Sequence, residues 1–235
     1  MLCIVIPAHN EEQRIGACLR AALAAGRHPA LAGETVRIVV ALDSCSDRTK
    51  AIVEEFDVEV IRVAARNVGV ARAAAAQRAL AMGARWLAFT DADTTVADDW
   101  LVQQLALQAD VVCGTVSVED WAPHIDAVQK HFSRTYFAVD GHRHIHGANL
   151  GVSADAYRRV GGFAPLPLSE DVALVEALVS SGAHVVWSAA PKVVTSARTD
   201  FRAAGGFGDT LLRVGLAHLN DVSNASGLED DALAA

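Results

Sequence analysis

Short apolar runs alternate with amphipathic stretches from the first residues onward. Leu2–Ile6 reads as a buried strand, and Glu11–Ala25 follows as a helix with Ile15, Leu19 and Leu23 on one face. Val36–Leu42 is a second strand, with a helix after it from about Asp47 to Phe56. Val58–Val63 is a third strand, ahead of the alanine-rich helix Val70–Met82. Strand Trp86–Phe89, helix Ala97–Gln108 and strand Val111–Val118 complete the regular half. Strands that are apolar throughout and separated by helices predict an α/β fold, with a mostly parallel sheet covered on both faces.

Beyond residue 120 the pattern loosens. Ile125–Val139, Ala154–Val160 and Asp171–Ser180 carry helical spacing, while Ala148–Val152 and His184–Trp187 are strand-like. A last helix spans Phe207–Leu219, and residues 221–235 are polar and acidic, which predicts a flexible, fraying tail. No Pro/Gly/Ser-rich linker interrupts the first 200 residues, so one domain over residues 1–220 is expected.

Composition narrows the function classes. Hydrophobic residues make up 52% of the 235-residue chain and charged residues 20%, the balance of a globular protein with a sizeable core. The net charge of −8 argues against a nucleic-acid partner, which needs a basic face. Only the small groups Arg158–Arg159 and Arg198–Arg202 concentrate positive charge, enough to meet a phosphorylated ligand. The apolar runs are too short for a transmembrane segment, and residues 1–6 lack the basic start of a signal peptide. A cytoplasmic protein is expected. The apolar positions of Phe207–Leu219 could form a homodimer contact or rest peripherally on a membrane, although core packing is the simpler reading. Cys3, Cys18, Cys45 and Cys113 show no CxxC spacing, so reduced thiols are expected and a structural zinc is not.

Candidate chemistry gathers where the strands end. Pro7-Ala8-His9-Asn10-Glu11-Glu12 follows the first strand, Asp43-Ser44-Cys45-Ser46-Asp47 the second, Asn67 and Gly69 the third, and Asp91-Ala92-Asp93 the fourth. In an open parallel sheet that edge is where ligands bind. Asp91 and Asp93, at i and i+2, can share one hard cation, although an acidic turn has the same sequence. Asp43 at a strand tip suits recognition of a base N–H or of ribose hydroxyls, whereas Ser46 and Asp47 read as helix caps. Glu170-Asp171 reads either as an acidic helix start or as a general base. His142, His144 and His146 alternate and would share one face of a strand, placed for a metal or for an anionic substrate.

Taken in order, Ile4–Glu12, Asp43–Thr49, Asn67-Val68-Gly69 and Asp91-Ala92-Asp93 resemble the family 2 glycosyltransferases of the GT-A fold. Gly147-Ala148-Asn149-Leu150-Gly151, Gly161-Gly162-Phe163 and Ser169-Glu170-Asp171 look like the acceptor half of that family. The resemblance implies a single GT-A-like domain, Rossmann-like, with residues 1–118 for the nucleotide-sugar and 119–220 for the acceptor. It implies that Pro7, Ala8, His9, Glu11, Asp43, Asn67, Arg72, Asp91, Ala92 and Asp93 meet the donor, with Asp43 on the base. It implies Mn²⁺ or Mg²⁺ on Asp91 and Asp93, and Asp171 as the base of an inverting transfer. Gly147, Ala148, Asn149 and Glu170 would face the sugar or the acceptor, and Arg198 and Arg202 could reach the diphosphate. The donor would be a nucleoside-diphosphate sugar, UDP by family habit, and the acceptor a glycan, lipid or small molecule.

Other classes compete. Asp91–Val96 mimics the Asp-x-Asp-x-Thr nucleophile loop of haloacid-dehalogenase-like phosphatases, although that loop normally follows the first strand of its domain. A sugar-nucleotide-forming nucleotidyltransferase would carry a Gly-rich loop with a basic residue after strand one, and Pro7–Glu12 has neither. A non-catalytic nucleotide-sugar-binding or scaffold protein would show donor binding without turnover.

Overall fold

A computed structural model describes residues 1–200 and 206–232, with side chains described as far as Leu219. Its main sheet has seven strands. The first four are β1 (Leu2–Ala8), β2 (Val36–Asp43), β3 (Glu59–Val63) and β4 (Trp86–Phe89). Helices α1 (Ile15–Gly26), α2 (Thr49–Val53) and α3 (Val68–Ala81) connect them, and α4 (Trp100–Ala106) follows β4. The sheet is completed by β6 (Val111–Gly114), β7 (Leu150–Ser153) and β8 (Val185–Ser188), in the order β3-β2-β1-β4-β7-β6-β8. Only β7 runs antiparallel to its neighbours. β5 (Thr94–Val96) and β9 (Val193–Thr195) form a separate antiparallel pair. Neither short strand is expected from the sequence, because three residues are too few to show a period.

β1 is buried at every position, as a strand covered on both faces must be. Cys3 and Val5 of β1 join Val39 and Ala41 of β2 against Ala71, Ala75 and Ala79 of α3. The small side chains on that face let α3 lie close to β1 and β2. Leu174, Val175 and Leu178 of α7 (Glu170–Ser180) enter the same core. β1 continues into β2 on one side, while β4 lies on the other, so the strand order reverses beside β1. The crevice at that reversal opens past Ala8 and Phe89, where α/β sheets hold their ligands.

Contacts divide the chain into two units. One comprises Met1–Ser117 and Ala138–Thr195, so the stretch carrying β7, α6 (Ala154–Arg159), α7, β8 and β9 completes the sheet begun by the first half. The expected division at residue 118 therefore coincides with one boundary, but the chain returns across it. The other unit comprises Val118–Phe137 and Ser196–Ala235, and contains α5 (Asp126–Thr135) and α8 (Phe207–Ala232). Its small core joins Val128, Ala197 and Leu211, with Trp121, Phe132 and Phe207 against them.

Several boundaries differ from the sequence reading for identifiable reasons. α1 begins at Ile15 and not Glu11, and the backbone N–H groups of Glu11 and Glu12, ahead of it, donate to Thr49 and Asp47. β6 ends at Gly114, after which Ser117 pairs with Val193 and Thr195 away from the main sheet. α8 runs on to Ala232, so 221–232 extends a helix where a frayed tail is expected. Arg202 and residues 233–235 lie outside the described residues. Among the described residues, no helix is long and apolar enough to cross a membrane.

Candidate active site

The loops leaving β1 and β2 are stitched together by side chains. His9 Nδ1 lies 2.6 Å from the Asp43 carbonyl oxygen, which places the ring proton on Nδ1. Asn10 Oδ1 accepts from the Ser46 amide, Thr49 Oγ1 from the Glu11 amide and Glu12 Oε2 from the Arg48 amide. Cys45 Sγ–H donates to the Ala8 carbonyl. Pro7 and Ala8 are the last residues of β1, and Glu11 is buried behind them. Thr49 has no exposed surface and a seat in this network, but no sequence signal separates it from an ordinary helix start.

Asp43 sits at the tip of β2 as expected, yet its carboxylate is already largely occupied. Oδ1 accepts from the Ala65 and Arg66 amides and the Ser44 hydroxyl, and Oδ2 accepts from the Asn67 amide. These bonds fill Oδ1, while Oδ2 keeps one acceptor direction. The carboxylate thereby holds the loop after β3. Burial pushes this carboxyl up, but the bonds from Arg66, Asn67, Ala65 and Ser44 outweigh it and leave it below the usual range. Asn67 likewise acts within the fold: it caps α3 through the Val70 amide and donates to the Pro165 carbonyl.

Asn10, Ser44 and Arg66 adopt left-handed backbone conformations just past β1, β2 and β3, and Ser169 does so ahead of α7. Each costs on the order of 1–3 kcal/mol in a residue other than glycine, and such strain collects where loops are shaped for a ligand. All four lie in loops that contribute to this edge.

Arg72, one turn into α3, is the hub of the site. Its guanidinium pairs with Asp91 through Nη2 and with Glu170 through Nη1. Arg72 and Glu170 are each only 4% exposed. Burial opposes the Arg72 charge, but Asp91, Glu170 and Asp171 outweigh it and hold the pKa above the ordinary arginine value. Burial raises the Glu170 carboxyl, with Arg72 pulling the other way. Nε of Arg72 has no partner among the described residues. The Phe163 ring lies below the guanidinium, 5.9 Å from centroid to Cζ. Phe163 belongs to the Gly161-Gly162-Phe163 motif of the expected acceptor half. Both glycines have positive φ, and a Cβ on Gly162 would strike the Tyr157 ring.

Asp171 stands beside this hub at the start of α7. Its Oδ2 accepts from the Gly147 amide at 2.7 Å and its Oδ1 from the Val172 amide at 2.8 Å. Roughly half of its acceptor capacity therefore remains for a ligand. Gly147 is required here by space, because a Cβ would collide with the Arg72 guanidinium. Ala148 is buried beside it.

Asn149 departs from expectation. It is fully buried, its Oδ1 accepting from the Trp100 indole and its Nδ2 donating to the Thr115 and Pro191 carbonyls. The side chain expected to face an acceptor ties three segments of the core together. The alternation of His142, His144 and His146 does put their rings in register, although on a loop. The rings stack, with centroids 5.4 Å and 6.1 Å apart. Stacked faces do not converge nitrogens on a cation, and His142 Nδ1 already accepts from the His144 amide. Burial pushes His146 down to about 4 against the pull of Asp171 and Asp91, so the ring is neutral at ordinary pH. Arg198 lies in the second unit.

Asp91 and Asp93 bracket the turn into β5, and the Asp91 side chain is 34% exposed. The thiol of buried Cys18 donates to the Asp91 carbonyl at 3.3 Å from beneath this turn. Among the described residues no group of three or more His, Cys, Asp or Glu side chains could hold a metal unaided. A cavity of about 630 Å³ opens at Met1, Val36 and Met82 and includes none of the expected site residues.

The sequence profile described as "Glycosyl transferase family 2" matches residues 3–160. The chain belongs to that family. No curated protein sequence matches it. Among solved structures, this family 2 chain is similar to residues 1–349 of S. aureus TarS in complex with UDP-GlcNAc. That pair has a TM-score of 0.65 at 16% identity, covering 88% of this chain and 61% of that one. It is also similar to the mannosyltransferase PcManGT from Pyrobaculum calidifontis, in complex with GDP-Man and Mn²⁺. There the TM-score is 0.62 at 18% identity, covering 85% of this chain and 57% of that one. The chain thus spans about three fifths of the length of these structures, and the likeness establishes a shared fold.

Proposed function

We propose that this family 2 chain transfers a sugar from a nucleoside-diphosphate sugar to an acceptor hydroxyl, with inversion at the anomeric carbon. The observation that carries the reading is the convergence of Asp91, Arg72, Glu170 and Asp171 where the strand order reverses. Three carboxylates around one buried guanidinium are costly to assemble for structure alone. Of the similar structures, TarS is in complex with UDP-GlcNAc and PcManGT with GDP-Man and Mn²⁺, which supports a nucleotide-sugar donor of either type.

In this reading the loops after β1 and β2 receive the nucleoside, and Asp43 shapes the floor by holding Ala65–Asn67. Asp171 takes the proton of the acceptor hydroxyl. The acceptor oxygen bonds to the anomeric carbon as the bond from that carbon to the diphosphate oxygen breaks, and its electron pair leaves with the diphosphate. The bonds from the Gly147 and Val172 amides orient the Asp171 carboxylate beforehand.

The donor set fits a hard divalent cation. Asp91 and Asp93 offer oxygen ligands only, and Mg²⁺ or Mn²⁺ is commonly held by one or two carboxylates together with substrate phosphates. Such an ion, bound there, would supply charge neutralisation for the leaving diphosphate. Asp91 is already held in place by Arg72, and the family resemblance puts Asp93 most directly on the ion.

Two measurements test the proposal. The stereochemistry of the product, read by NMR, should be inverted relative to the donor, and retention contradicts the single displacement. Asp171→Asn should bind donor as the parent does while transfer falls by roughly 10²–10⁴, the usual worth of a general base. Activity near the parent level removes Asp171 from the role.

A further inference from the structure

The segment between Phe163 and Glu170 has an unusual surface. Pro165, Leu166, Pro167 and Leu168 are all exposed, the two leucines by 39% and 41%. Four consecutive apolar residues facing water are a liability unless something covers them in use. Nothing about this loop is casual. Asn67 holds the Pro165 carbonyl, and the carbonyls of Ala164 and Leu166 approach Gly69 so closely that a Cβ there would lie 2.6 Å and 2.7 Å away. Phe163 and Glu170 are buried at its two ends. Its two prolines restrict the backbone further, so a ligand meets a surface that is already ordered.

Position gives the occupant. Leu168 precedes Asp171 by three residues, a separation of at most about 11 Å along the chain. An apolar group attached to the molecule whose hydroxyl meets Asp171 therefore reaches the loop. Charge narrows the class: residues 160–169 carry no charged side chain, and Glu170 is taken up by Arg72. A phosphorylated acceptor or an anionic lipid surface finds no Lys or Arg within this segment to pair with, whereas a neutral group needs none.

On the basis of the glycosyltransferase reading, we propose that Pro165–Leu168 seats the apolar part of a neutral amphiphilic acceptor. The acceptor then joins a hydroxyl-bearing polar end to an alkyl or aryl group.

The test is equilibrium titration of methyl, octyl and 4-nitrophenyl glycosides of glucose, galactose and N-acetylglucosamine. The protein is first saturated with the nucleoside diphosphate that stabilises it, and octyl glycosides are kept below their micelle concentration. For at least one sugar, the octyl or nitrophenyl form should bind roughly tenfold more tightly than the methyl form. Leu166→Ser/Leu168→Ser should cut that preference to about threefold or less. Equal affinities, no binding by any of the glycosides, or a preference untouched by the double substitution overturns the proposal. So does association with phosphatidylglycerol vesicles that the double substitution abolishes, which would assign the loop to a membrane. Failure of every nucleoside diphosphate to stabilise the protein is a separate result and counts against the glycosyltransferase reading.

Discussion

Replacing Arg72 by Met keeps much of the volume and removes the charge shared by Asp91 and Glu170. Both ends of the Arg72–Glu170 pair are almost wholly buried, so the substitution leaves Glu170 as an uncompensated charge in the interior. Breaking a buried pair in this way costs about 3–5 kcal/mol. Asp91, one third exposed, keeps its water and adds little. For a protein of this size each kcal/mol is worth about 2–4 °C in Tm, so the melting point should fall by about 6–20 °C. The dependence on pH has a definite sign. Burial already raises the Glu170 carboxyl with Arg72 opposing it, so losing Arg72 raises it further. A carboxyl with a raised pKa is protonated sooner in the folded state, which relieves the penalty as pH falls towards the ordinary glutamate value of 4.5. Urea unfolding at pH 7 and pH 5 measures this directly. The deficit should be smaller at pH 5, and Glu170→Gln in the Arg72→Met background should recover part of it at pH 7. A deficit below about 1 kcal/mol at pH 7, or one that grows on acidification, refutes the assignment of Arg72 as the buried hub.

Two further substitutions probe the same geometry. Asp43→Asn loses acceptor capacity beneath the Ala65–Asn67 amides and should cost about 1–3 kcal/mol by urea unfolding. It should also weaken UDP and GDP in equal proportion, whereas a selective loss of one nucleotide would place Asp43 on the base. Because its carboxyl lies below the usual range, the stability it lends is present above the ordinary aspartate value of 3.8 and is lost as pH falls through its folded-state value. Asn149→Ala strands the Trp100 indole and two carbonyls, so thermal unfolding should show a loss of at least about 1–3 kcal/mol. The surviving folded fraction should keep its acceptor KM, and a raised KM would place Asn149 in the acceptor site after all.

The strand-rich first half is readable because each strand is an unbroken apolar run bounded by polar turns, the pattern of a sheet buried on both faces. Its edge is readable for the same reason: four strands end in polar residues, and the sheet carries all four tips to one side. What escapes the pattern depends on contacts distant in sequence. Nothing local tells that the Asp43 carboxylate will be taken up by amides some twenty residues ahead, or that Asn149 will turn inward to Trp100. Gly147 and Gly69 are plain glycines until the Arg72 guanidinium and the Ala164 and Leu166 carbonyls are seen against them. The histidine alternation predicts a shared face correctly, but not that the rings would stack on one another. Sequence order predicts that β7 is a strand, and only pairing shows that it runs against its neighbours.

The central claim is that the crevice beside β1 binds a nucleoside-diphosphate sugar with a divalent ion. Thermal unfolding with UDP, GDP and their sugars, each with and without Mn²⁺ or Mg²⁺, tests it most directly. A ligand present at a hundred times its Kd adds about 2.7 kcal/mol to the native state, or about 5–11 °C in Tm here. A shift of that size is expected for one nucleotide family, larger with the metal than without it, and reduced in Asp93→Asn. No shift with any of them at millimolar concentration contradicts it.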